Sequence, residues 1–561
     1  MSRPVKGDRS ETIGGRLPRR DFLMSVLAGI PALALDWDSF PRGQDAPRTG
    51  DAYDVVIIGA GLGGLSCAAA FARQGFRPLV LEKHLVPGGY ATTFKRPGGF
   101  VFDVSLHSTG AGERAGIHNL IDGFPEIKDV EFNPHPYLYR AIYPGYDIRV
   151  PQKNPAKYAE LLAGLFPEEK AGIQGLLADM HGLNDDVDRI SRTGGKIDMG
   201  TFAKEYPFLV KFSGRTWGAM QDTRLKDPKL KAIFSALWGY FGLPPSRLSA
   251  FYYALPTLGY LEQGGYYPRG RSQAISDALV KFIRDRGGAV KLGARVDGVT
   301  VKDHAAVGVR TADGTEYPAR AIVANSNPID LFENMAGEKA YLKDYLARLR
   351  SMSVSLSCFQ VFLGLKKDLV GELKIPDSEI FYNPGFDDEA AYERLYQADF
   401  TDPGFSLMLY DNVVKGYSPP GKNTINILAL QGYDHWLPLE ENYKTGQKLE
   451  YLVEKERLAW LLIKKVEETV LPGLTQAIEV KEIGTPLTNW RYTGNYRGAI
   501  YGFDQTTDNS GPTRLPHTTP IRNLFLAGAW TQPGHGYGAV IPSGLQCFAE
   551  VMKSWKAEPP R

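Results

Sequence analysis

Three glycines near the start of the chain have the spacing of a phosphate-binding turn. Gly59, Gly61 and Gly64 follow the apolar residues 55–58 and precede the Ala-rich stretch 66–74. The apolar run predicts a strand buried on both faces of a parallel sheet. The first glycine allows a tight turn, the second lets backbone approach a pyrophosphate, and the third lets the next helix pack on the strand. The pattern therefore predicts dinucleotide binding at a helix N-terminus.

A carboxylate stands where a bound ribose would need one. Residues 77–81 predict a second buried strand, and Glu82 follows it directly. A carboxylate roughly 20 residues beyond the glycines is placed to bind a ribose hydroxyl. Gly88 and Gly89 would then let the chain pass close beneath the nucleotide. A glycine pattern alone is common, but the complete unit of strand, turn, helix, strand and Glu is specific.

Composition bounds the architecture and excludes several classes of function. A chain of 561 residues exceeds one ordinary domain, so two lobes are expected. A net charge of +2 with no basic run argues against nucleic acid as a partner. Cys67, Cys358 and Cys547 are too few and too far apart for a disulfide framework, and no CxxC or HExxH spacing offers a metal site.

Residues 234–267 are unusually aromatic. Pro244, Pro245 and Arg247 interrupt this stretch, so it cannot form one membrane-spanning helix. Its aromatics could line a substrate channel, contact a bilayer surface or form an aromatic seam in the core. They are Phe234, Trp238, Tyr240, Phe241, Phe251, Tyr252, Tyr253, Tyr260, Tyr266 and Tyr267.

The first 35 residues are similar to a twin-arginine export signal. Arg19 and Arg20 precede an apolar run over 22–35 that is too short to cross a membrane, and residues 32–34 of this run offer an A-x-A cleavage site. Pro18 and Met24 depart from the usual pattern, and the alternative is a disordered basic tail on a cytoplasmic protein. The expectation is a signal over 1–35, a linker over 36–50 and an exported, periplasmic enzyme.

Several later segments carry a family resemblance. The Gly88-Gly89 motif, Phe102-Asp103 followed by His107, and a glycine-rich segment over 264–272 occur in order along the chain. With residues 528–540 they resemble two-domain FAD flavoenzymes related to amine oxidases. The resemblance is closer to bacterial-type phytoene desaturases, carotenoid isomerases and retinol saturases. It covers residues 52–552, and Val104-Ser105 replaces the Thr-Gly that is usual in the saturases.

The resemblance implies an α/β fold with a Rossmann-type FAD-binding domain and a discontinuous, mixed α+β substrate domain. The FAD-binding domain is expected over 51–112, 263–334 and 481–555, and the substrate domain over 113–262 and 335–480. The residues expected to bind FAD are Gly59, Gly61, Gly64, Glu82, Gly88, Gly89, Val296, Gly528, Ala529, Gly536 and Val540.

The function implied is that of an FAD-dependent oxidoreductase that desaturates or saturates carbon–carbon bonds of a long apolar isoprenoid or polyene. Alternatives are cis–trans isomerisation of such a polyene by reduced flavin, oxidation of a small polar amine, and a non-enzymatic prenyl carrier. Carrier relatives lose the flavin glycines, which this chain keeps. His107 and His535 could exchange protons beside the flavin, although a structural hydrogen bond is the alternative for each.

Electron partners follow from the expected location. Outside the cytoplasm NAD(P)H is not supplied, and the chain has no second GxGxxG after a strand. A quinone or another electron carrier is therefore expected as the partner, together with peripheral membrane contact.

Overall fold

The part of the chain that this computed structural model describes excludes the far N-terminus and several short segments. The described residues are 37–43, 53–110, 124, 127, 130–193, 198, 200–337 and 340–557. The expected export signal, together with residue 36 and residues 44–50 of the expected linker, lies outside them. No helix within the described ranges is both long and apolar enough to cross a membrane.

The glycine-rich turn lies at the carboxyl end of the central strand of a five-stranded parallel sheet. This central strand, Val55–Ile58, pairs in parallel with a strand on each side. From edge to edge the strands are Leu524–Leu526, Ala321–Ala324, Val55–Ile58, Pro78–Leu81 and Ala289–Lys291. Strands from three distant parts of the chain thus form one Rossmann-type sheet, which confirms the expected fold class.

Both faces of this sheet are covered, which explains the unbroken apolar strands. Val55 and Ile57 pack under helices on one face, whereas Val56 and Ile58 pack under a three-stranded antiparallel sheet on the other. The helices are Leu62–Arg73, Arg271–Asp285 and Tyr537–Ala557. The strands of the covering sheet are Val296–Lys302, Ala305–Thr311 and Glu316–Pro318.

Part of the expected linker is docked on this lobe. Trp37 packs against Phe548, and the guanidinium of Arg73 lies 4.3 Å from the centre of the Trp37 ring. Nε2 of Gln74 also donates to the Trp37 carbonyl at 2.9 Å. Residues 37–43 are therefore held on the lobe, because their aromatic side chains bury apolar surface there.

A second, seven-stranded sheet forms the other lobe. Its strands in order are Ile478–Gly484, Ser357–Leu365, Asn423–Gln431, Phe405–Leu409, Glu379–Tyr382, Tyr139–Tyr143 and Tyr146–Val150. The pairing is antiparallel except between Glu379–Tyr382 and Tyr139–Tyr143. The boundary expected after residue 480 falls inside the first of these strands. Residues 481–484 are therefore part of this sheet, because they pair with Ser357–Leu365.

Alternate residues of the long strand Ser357–Leu365 face in opposite directions. Phe359, Val361 and Leu363 pack in the apolar core that includes the helix Leu449–Thr469. Cys358 and Gln360 point to the opposite face, where they line a cavity. The second sheet therefore has one face in the core and one face towards the other lobe.

Helices and two short ribbons complete the described fold. The other helices of eight or more residues are Pro155–Leu165, Lys170–Arg192, Ala250–Gln263, Lys343–Ser351, Asp388–Tyr396, Leu437–Thr445 and Pro486–Thr493. Shorter α-helices are Phe202–Glu205, Pro207–Phe212, Trp217–Gln221, Pro228–Phe234, Pro328–Asp330, Leu369–Glu372 and Leu474–Ala477. The ribbons pair Thr93–Lys95 with Val101–Asp103 and Phe132–Pro134 with Tyr266–Pro268.

Candidate flavin and substrate site

A cavity of about 2130 Å³ extends from the glycine-rich turn to the second sheet. Sites for small molecules usually measure roughly 300–1,000 Å³. The space is therefore sufficient for a dinucleotide together with a second large molecule.

The glycines form a cradle at one end of this cavity. Gly61 and Gly88 lie side by side as a β-bridge, and the Gly88 N–H donates to the Ala60 carbonyl at 2.8 Å. A Cβ atom on Gly89 would lie 3.3 Å from Cα of Gly61, and one on Gly61 would lie 2.8 Å from Nδ2 of Asn325. The space is thus kept open by the absence of side chains, which suits the close approach of a pyrophosphate.

Glu82 is fixed at the end of its strand. One carboxylate oxygen, Oε2, accepts from the Ala60 N–H at 2.8 Å, and the other accepts from the His84 N–H at 2.8 Å. The side chain is buried but lines the cavity. Each oxygen retains a lone pair, so the carboxylate can still accept from a ribose hydroxyl.

The carboxy-terminal segment closes the same end of the cavity. The Gly528 N–H donates to Oγ of Ser543 at 2.9 Å, which anchors the end of the strand Leu524–Leu526 on the last helix. That helix begins at Tyr537, directly after Gly536, and its first turn lines the cavity. Its N-terminus therefore directs a positive dipole end towards the cavity, where a cofactor could bind.

Most of the expected FAD-binding residues meet at the cavity. Gly64 and Gly528 are the exceptions, and both are packing positions: a Cβ on Gly64 would overlap the Gly59 carbonyl, and one on Gly528 would overlap the Asn325 amide. The expected residues that line the cavity are Gly59, Gly61, Glu82, Gly88, Gly89, Val296, Ala529, Gly536 and Val540. The roles of these residues in binding FAD stay predictions. The open space at the glycines and the carboxylate of Glu82 fit the pyrophosphate and the ribose of that cofactor.

The two candidate histidines line the cavity and are neutral at pH 7. Burial, with the nearby charge of His135, lowers the pKa of His107 to about 4. Burial, with the Arg514 charge, holds the pKa of His535 well below its usual range. Such imidazoles accept protons poorly at neutral pH, so hydrogen bonding is their main capacity.

His535 has one nitrogen in use and one free. Its Nε2 lies 3.0 Å from the Tyr240 carbonyl, which can only accept, so Nε2 carries the proton. Nδ1 is buried without a hydrogen-bond partner. The ring stacks on Tyr501 with 4.1 Å between centroids, and its backbone N–H donates to the Tyr252 hydroxyl. The imidazole is thus held rigidly against the aromatic wall.

Two residues beneath the site were missed at the sequence level. Asn325 lies under the glycine cradle, and its position directly after the buried strand Ala321–Ala324 was a usable signal. Arg514 is buried, and burial lowers its pKa to about 10. It donates to four backbone carbonyls, including that of Ala529 at 2.6 Å. Nothing in its local sequence signals this role.

The aromatic stretch is divided between cavity wall and core. Tyr253 packs on Trp217 in the core, with 4.4 Å between ring centroids, and Tyr267 donates to the buried carboxylate of Asp103 at 2.6 Å. Those that line the cavity are Trp238, Tyr240, Phe241, Phe251, Tyr252 and Tyr260. The stretch therefore supplies a wall of the cavity as well as a core seam.

A parallel sheet with a glycine cradle, joined to a second sheet that faces the same cavity, defines a two-lobed dinucleotide-dependent enzyme. The family described as "Flavin containing amine oxidoreductase" matches residues 62–551. The chain belongs to this family. It is a flavoprotein oxidoreductase, and the expected family and FAD cofactor are confirmed.

Relatives and solved structures agree with this assignment. The chain is 26% identical over 549 residues to a chloroplastic prolycopene isomerase of Arabidopsis thaliana, covering 96% of this chain and 88% of the relative. It is 27% identical over 546 residues to an all-trans-retinol 13,14-reductase of Rattus norvegicus, covering 90% and 86%. An oxidoreductase structure from Methanosarcina mazei superposes with a TM-score of 0.58 at 17% identity, covering 88% of this chain and 100% of that one. A putrescine oxidase bound to putrescine gives 0.57 at 14%, covering 90% and 99%.

Proposed function

We propose that the protein is an FAD-dependent oxidoreductase that desaturates or saturates carbon–carbon bonds of a long apolar polyene. The observation that carries the proposal is the cavity of about 2130 Å³, which joins the flavin cradle to an aromatic wall. A long rigid hydrocarbon needs such a space beside the cofactor. The names of the isomerase and retinol reductase relatives support a polyene as substrate.

The residues of the chain contribute shape and exclusion of water. A bound FAD would supply the hydride-transfer chemistry. Two side chains of the aromatic wall are fixed by hydrogen bonds: the Tyr501 hydroxyl donates to the Gly239 carbonyl at 3.0 Å, and that of Tyr252 donates to the His535 carbonyl at 3.1 Å. Fixed aromatic surfaces hold an apolar chain in one orientation, which favours reaction at one bond.

Redox-neutral cis–trans isomerisation is the second candidate. It is favoured by the prolycopene isomerase relative, which this chain matches over 96% of its length. The likeness to putrescine oxidase, at 14% identity, reflects the fold and gives no support to an amine substrate.

The test is product analysis with purified holoenzyme. All-trans-retinol and a poly-cis carotene would be supplied in detergent micelles under anaerobic conditions, with either oxidised or chemically reduced flavin. A mass gain of two hydrogens indicates saturation, a loss of two indicates desaturation, and an unchanged mass with a shifted retention time indicates isomerisation. Rapid flavin reduction by putrescine, with every polyene unchanged, would contradict the proposal.

A quinone is proposed as the electron partner of an exported enzyme. The support is the twin-arginine pattern at Arg19 and Arg20 and the presence of one GxGxxG unit in the sequence. A quinone is apolar and can use the same cavity as the substrate. Stopped-flow reoxidation by a short-chain ubiquinone should be fast and saturable. Fast reduction of the flavin by NADPH, with the wild type and an Arg19→Lys, Arg20→Lys variant both in the cytoplasm, would contradict it.

Peripheral membrane contact is proposed through the helix Leu449–Thr469. Leu452 and Val453 lie about one helical turn after Leu449, and the three side chains are exposed by 44%, 62% and 76% respectively. Leu452 also lines the cavity, as do the flanking Lys448 and Lys455. Exposed aliphatic side chains between lysines are suited to the headgroup region of a bilayer. An apolar substrate could then pass from the bilayer into the cavity.

A further inference from the structure

A buried polar cluster lies on the cavity side of the second sheet, apart from the glycine cradle. It comprises His107, Ser108, Tyr240, Tyr260 and Glu379. The Tyr260 hydroxyl donates to Oε2 of Glu379 at 3.4 Å. A Cβ atom on Gly265 would lie 2.5 Å from Oγ of Ser108 and 2.8 Å from the Tyr260 hydroxyl, so these two hydroxyl groups flank one point.

The register of the sheet places Glu379 on the cavity side. Glu379 is two residues from Phe381 on the strand Glu379–Tyr382, so both side chains point to the same face. Phe381 lines the cavity and contacts the Tyr240 ring at 5.3 Å between centroids. Tyr240 in turn lies 6.2 Å from the His107 ring. The cluster is therefore continuous along one wall.

Four polar atoms of the cluster are buried without a hydrogen-bond partner. They are Nε2 of His107, Oγ of Ser108, the hydroxyl of Tyr240 and Oε1 of Glu379. Buried polar atoms in folded proteins are nearly always paired, because an unpaired one has lost its hydration without compensation. His107, Ser108 and Tyr240 line the cavity, so a molecule in the cavity can supply the missing partners.

The cluster is electrically neutral. Burial raises the pKa of Glu379 well above its usual range, which favours the protonated, uncharged carboxyl group. His107, with a pKa of about 4, is uncharged at pH 7. Among the ion pairs of the described residues, none includes Glu379. A carboxylate ligand would find no counter-charge here, whereas an alcohol or aldehyde oxygen would meet donors and acceptors.

The Tyr260 end of the cluster lies at a distance from the turn that carries His535, whereas the backbone of Tyr240 contacts that turn. Tyr252, whose hydroxyl contacts that turn, and Tyr260 are on the same helix, Ala250–Gln263, eight residues apart. Eight residues of helix span about 12 Å. The wall between them includes Phe251 and Leu255. A molecule whose oxygen pairs with the Tyr260 hydroxyl would therefore need a long apolar body to extend to the flavin end.

We propose that this cluster is a subsite for an uncharged oxygen group, an alcohol or an aldehyde, at one end of the substrate. This inference rests on the proposed function and narrows it, because it assigns an oxygenated polyene rather than a pure hydrocarbon. The carbon chain then lies along the aromatic wall, and its oxygen pairs with the hydroxyl groups of Tyr260 and Ser108.

The test compares ligands that differ at one end only. Retinol, retinal, retinoic acid and the corresponding C20 hydrocarbon would be titrated into oxidised, FAD-loaded protein. Quenching of tryptophan fluorescence reports binding, since Trp238 lines the cavity. The alcohol and aldehyde should bind about tenfold more tightly than the hydrocarbon and than the acid, as expected for one or two hydrogen bonds in a buried site.

Variants test which side chains cause the preference for alcohol over hydrocarbon. Tyr260→Phe and, independently, Ser108→Ala should reduce the preference for alcohol over hydrocarbon to within about twofold. Glu379→Gln keeps a neutral acceptor for the Tyr260 hydroxyl, so this variant should retain the preference for alcohol over hydrocarbon. Tyr382→Phe is the matched control, because Tyr382 lines the cavity on the same strand but stacks on Phe405 outside the cluster.

The outcomes separate the two proposals. Equal affinity for alcohol and hydrocarbon in the wild type, or a preference that persists in both Tyr260→Phe and Ser108→Ala, would overturn the subsite but leave a polyene enzyme. Failure of every polyene to bind to FAD-loaded protein would instead contradict the proposed function itself.

Discussion

Nε2 of His535 donates a hydrogen bond to the Tyr240 carbonyl at 3.0 Å and thereby joins the two lobes. His535 precedes the last helix of the Rossmann lobe, whereas Tyr240 belongs to the aromatic stretch that lines the substrate region. The same imidazole leaves Nδ1 buried and unpaired. In the His535 ring, Nε2 therefore forms the bond between the lobes, whereas Nδ1 has no hydrogen-bond partner in the protein.

Replacements of His535 should separate these two nitrogens. His535→Gln can keep a donor near the Nε2 position, whereas His535→Asn keeps an acceptor near Nδ1 and leaves the Tyr240 carbonyl unpaired. The Asn variant should therefore lose about 1–3 kcal/mol of unfolding free energy, and the Gln variant clearly less. Denaturant unfolding at equal FAD saturation measures the difference. Equal losses in both variants would show that the bond to Tyr240 has no such role.

The cradle predicts that Gly61→Val prevents FAD binding. Gly61 has an ordinary φ of −69°, so valine adds no backbone strain and acts only by filling space. Its Cβ would point at the Asn325 amide, where the pyrophosphate is expected. We expect purified protein with less than about a tenth of the wild-type flavin content. Gly164→Val is the control, because nothing lies within 4 Å of a Cβ at Gly164. Normal flavin content in Gly61→Val would contradict the prediction that the pyrophosphate binds against Gly61.

Two buried histidines predict acid sensitivity. Burial lowers the pKa of His107 and of His135 to about 4, from 6.5 for an exposed histidine. Between pH 6.5 and pH 4 the unfolded chain binds protons that the folded chain refuses, so stability falls as the pH falls. The slope is at most about 1.4 kcal/mol per pH unit for each histidine.

The thermal midpoint from pH 7 to pH 4.5 measures this effect. The double variant His107→Gln, His135→Gln should show a shallower slope than the wild type, whatever its stability at pH 7. His304→Gln, a substitution at an exposed histidine, is the control. Identical slopes in the double variant and the wild type would contradict the assignment.

The exposed aliphatic side chains at the start of the helix Leu449–Thr469 predict membrane binding. Leu449→Ser with Val453→Ser should lower the partition coefficient onto phosphatidylcholine vesicles roughly tenfold or more, because each leucine or valine that inserts contributes about 1.5–3 kcal/mol. Vesicle sedimentation measures it. The control is Leu165→Ser with Leu373→Ser, two exposed leucines that do not line the cavity. Equal partitioning of both double variants would argue against this surface.

Local sequence signals predicted the Rossmann sheet and the cofactor end of the cavity. The glycines, Glu82 and the segment after Leu526 each follow a buried strand, and parallel strands end at the same edge. The sequence alone therefore predicts that these three segments meet at one edge of the sheet. The extent of the linker could not, because the docking of Trp37 depends on Phe548, far along the chain.

The substrate end was less accessible from sequence. Glu379 stands in the short apolar strand Glu379–Tyr382, and its burial depends on pairing with Phe405–Leu409 and on the contact with Tyr260. Arg514 is satisfied by carbonyls from residues 501–531, none of which marks it in the sequence. Long-range pairings of this kind arise from tertiary structure, and local pattern does not encode them.

The order in which the lobe is assembled has a consequence for biosynthesis. The hydroxyl of Ser66, on the first helix, donates to the Ile541 carbonyl, 475 residues later in the chain. The edge strand Leu524–Leu526 and the helix Tyr537–Ala557 also come from this late region. A ribosome must therefore have released nearly all of the described chain before the flavin cradle can close. We therefore expect stable loading of the cofactor only after residues 524–557 have been synthesised, and a nascent chain stalled before residue 524 should carry none.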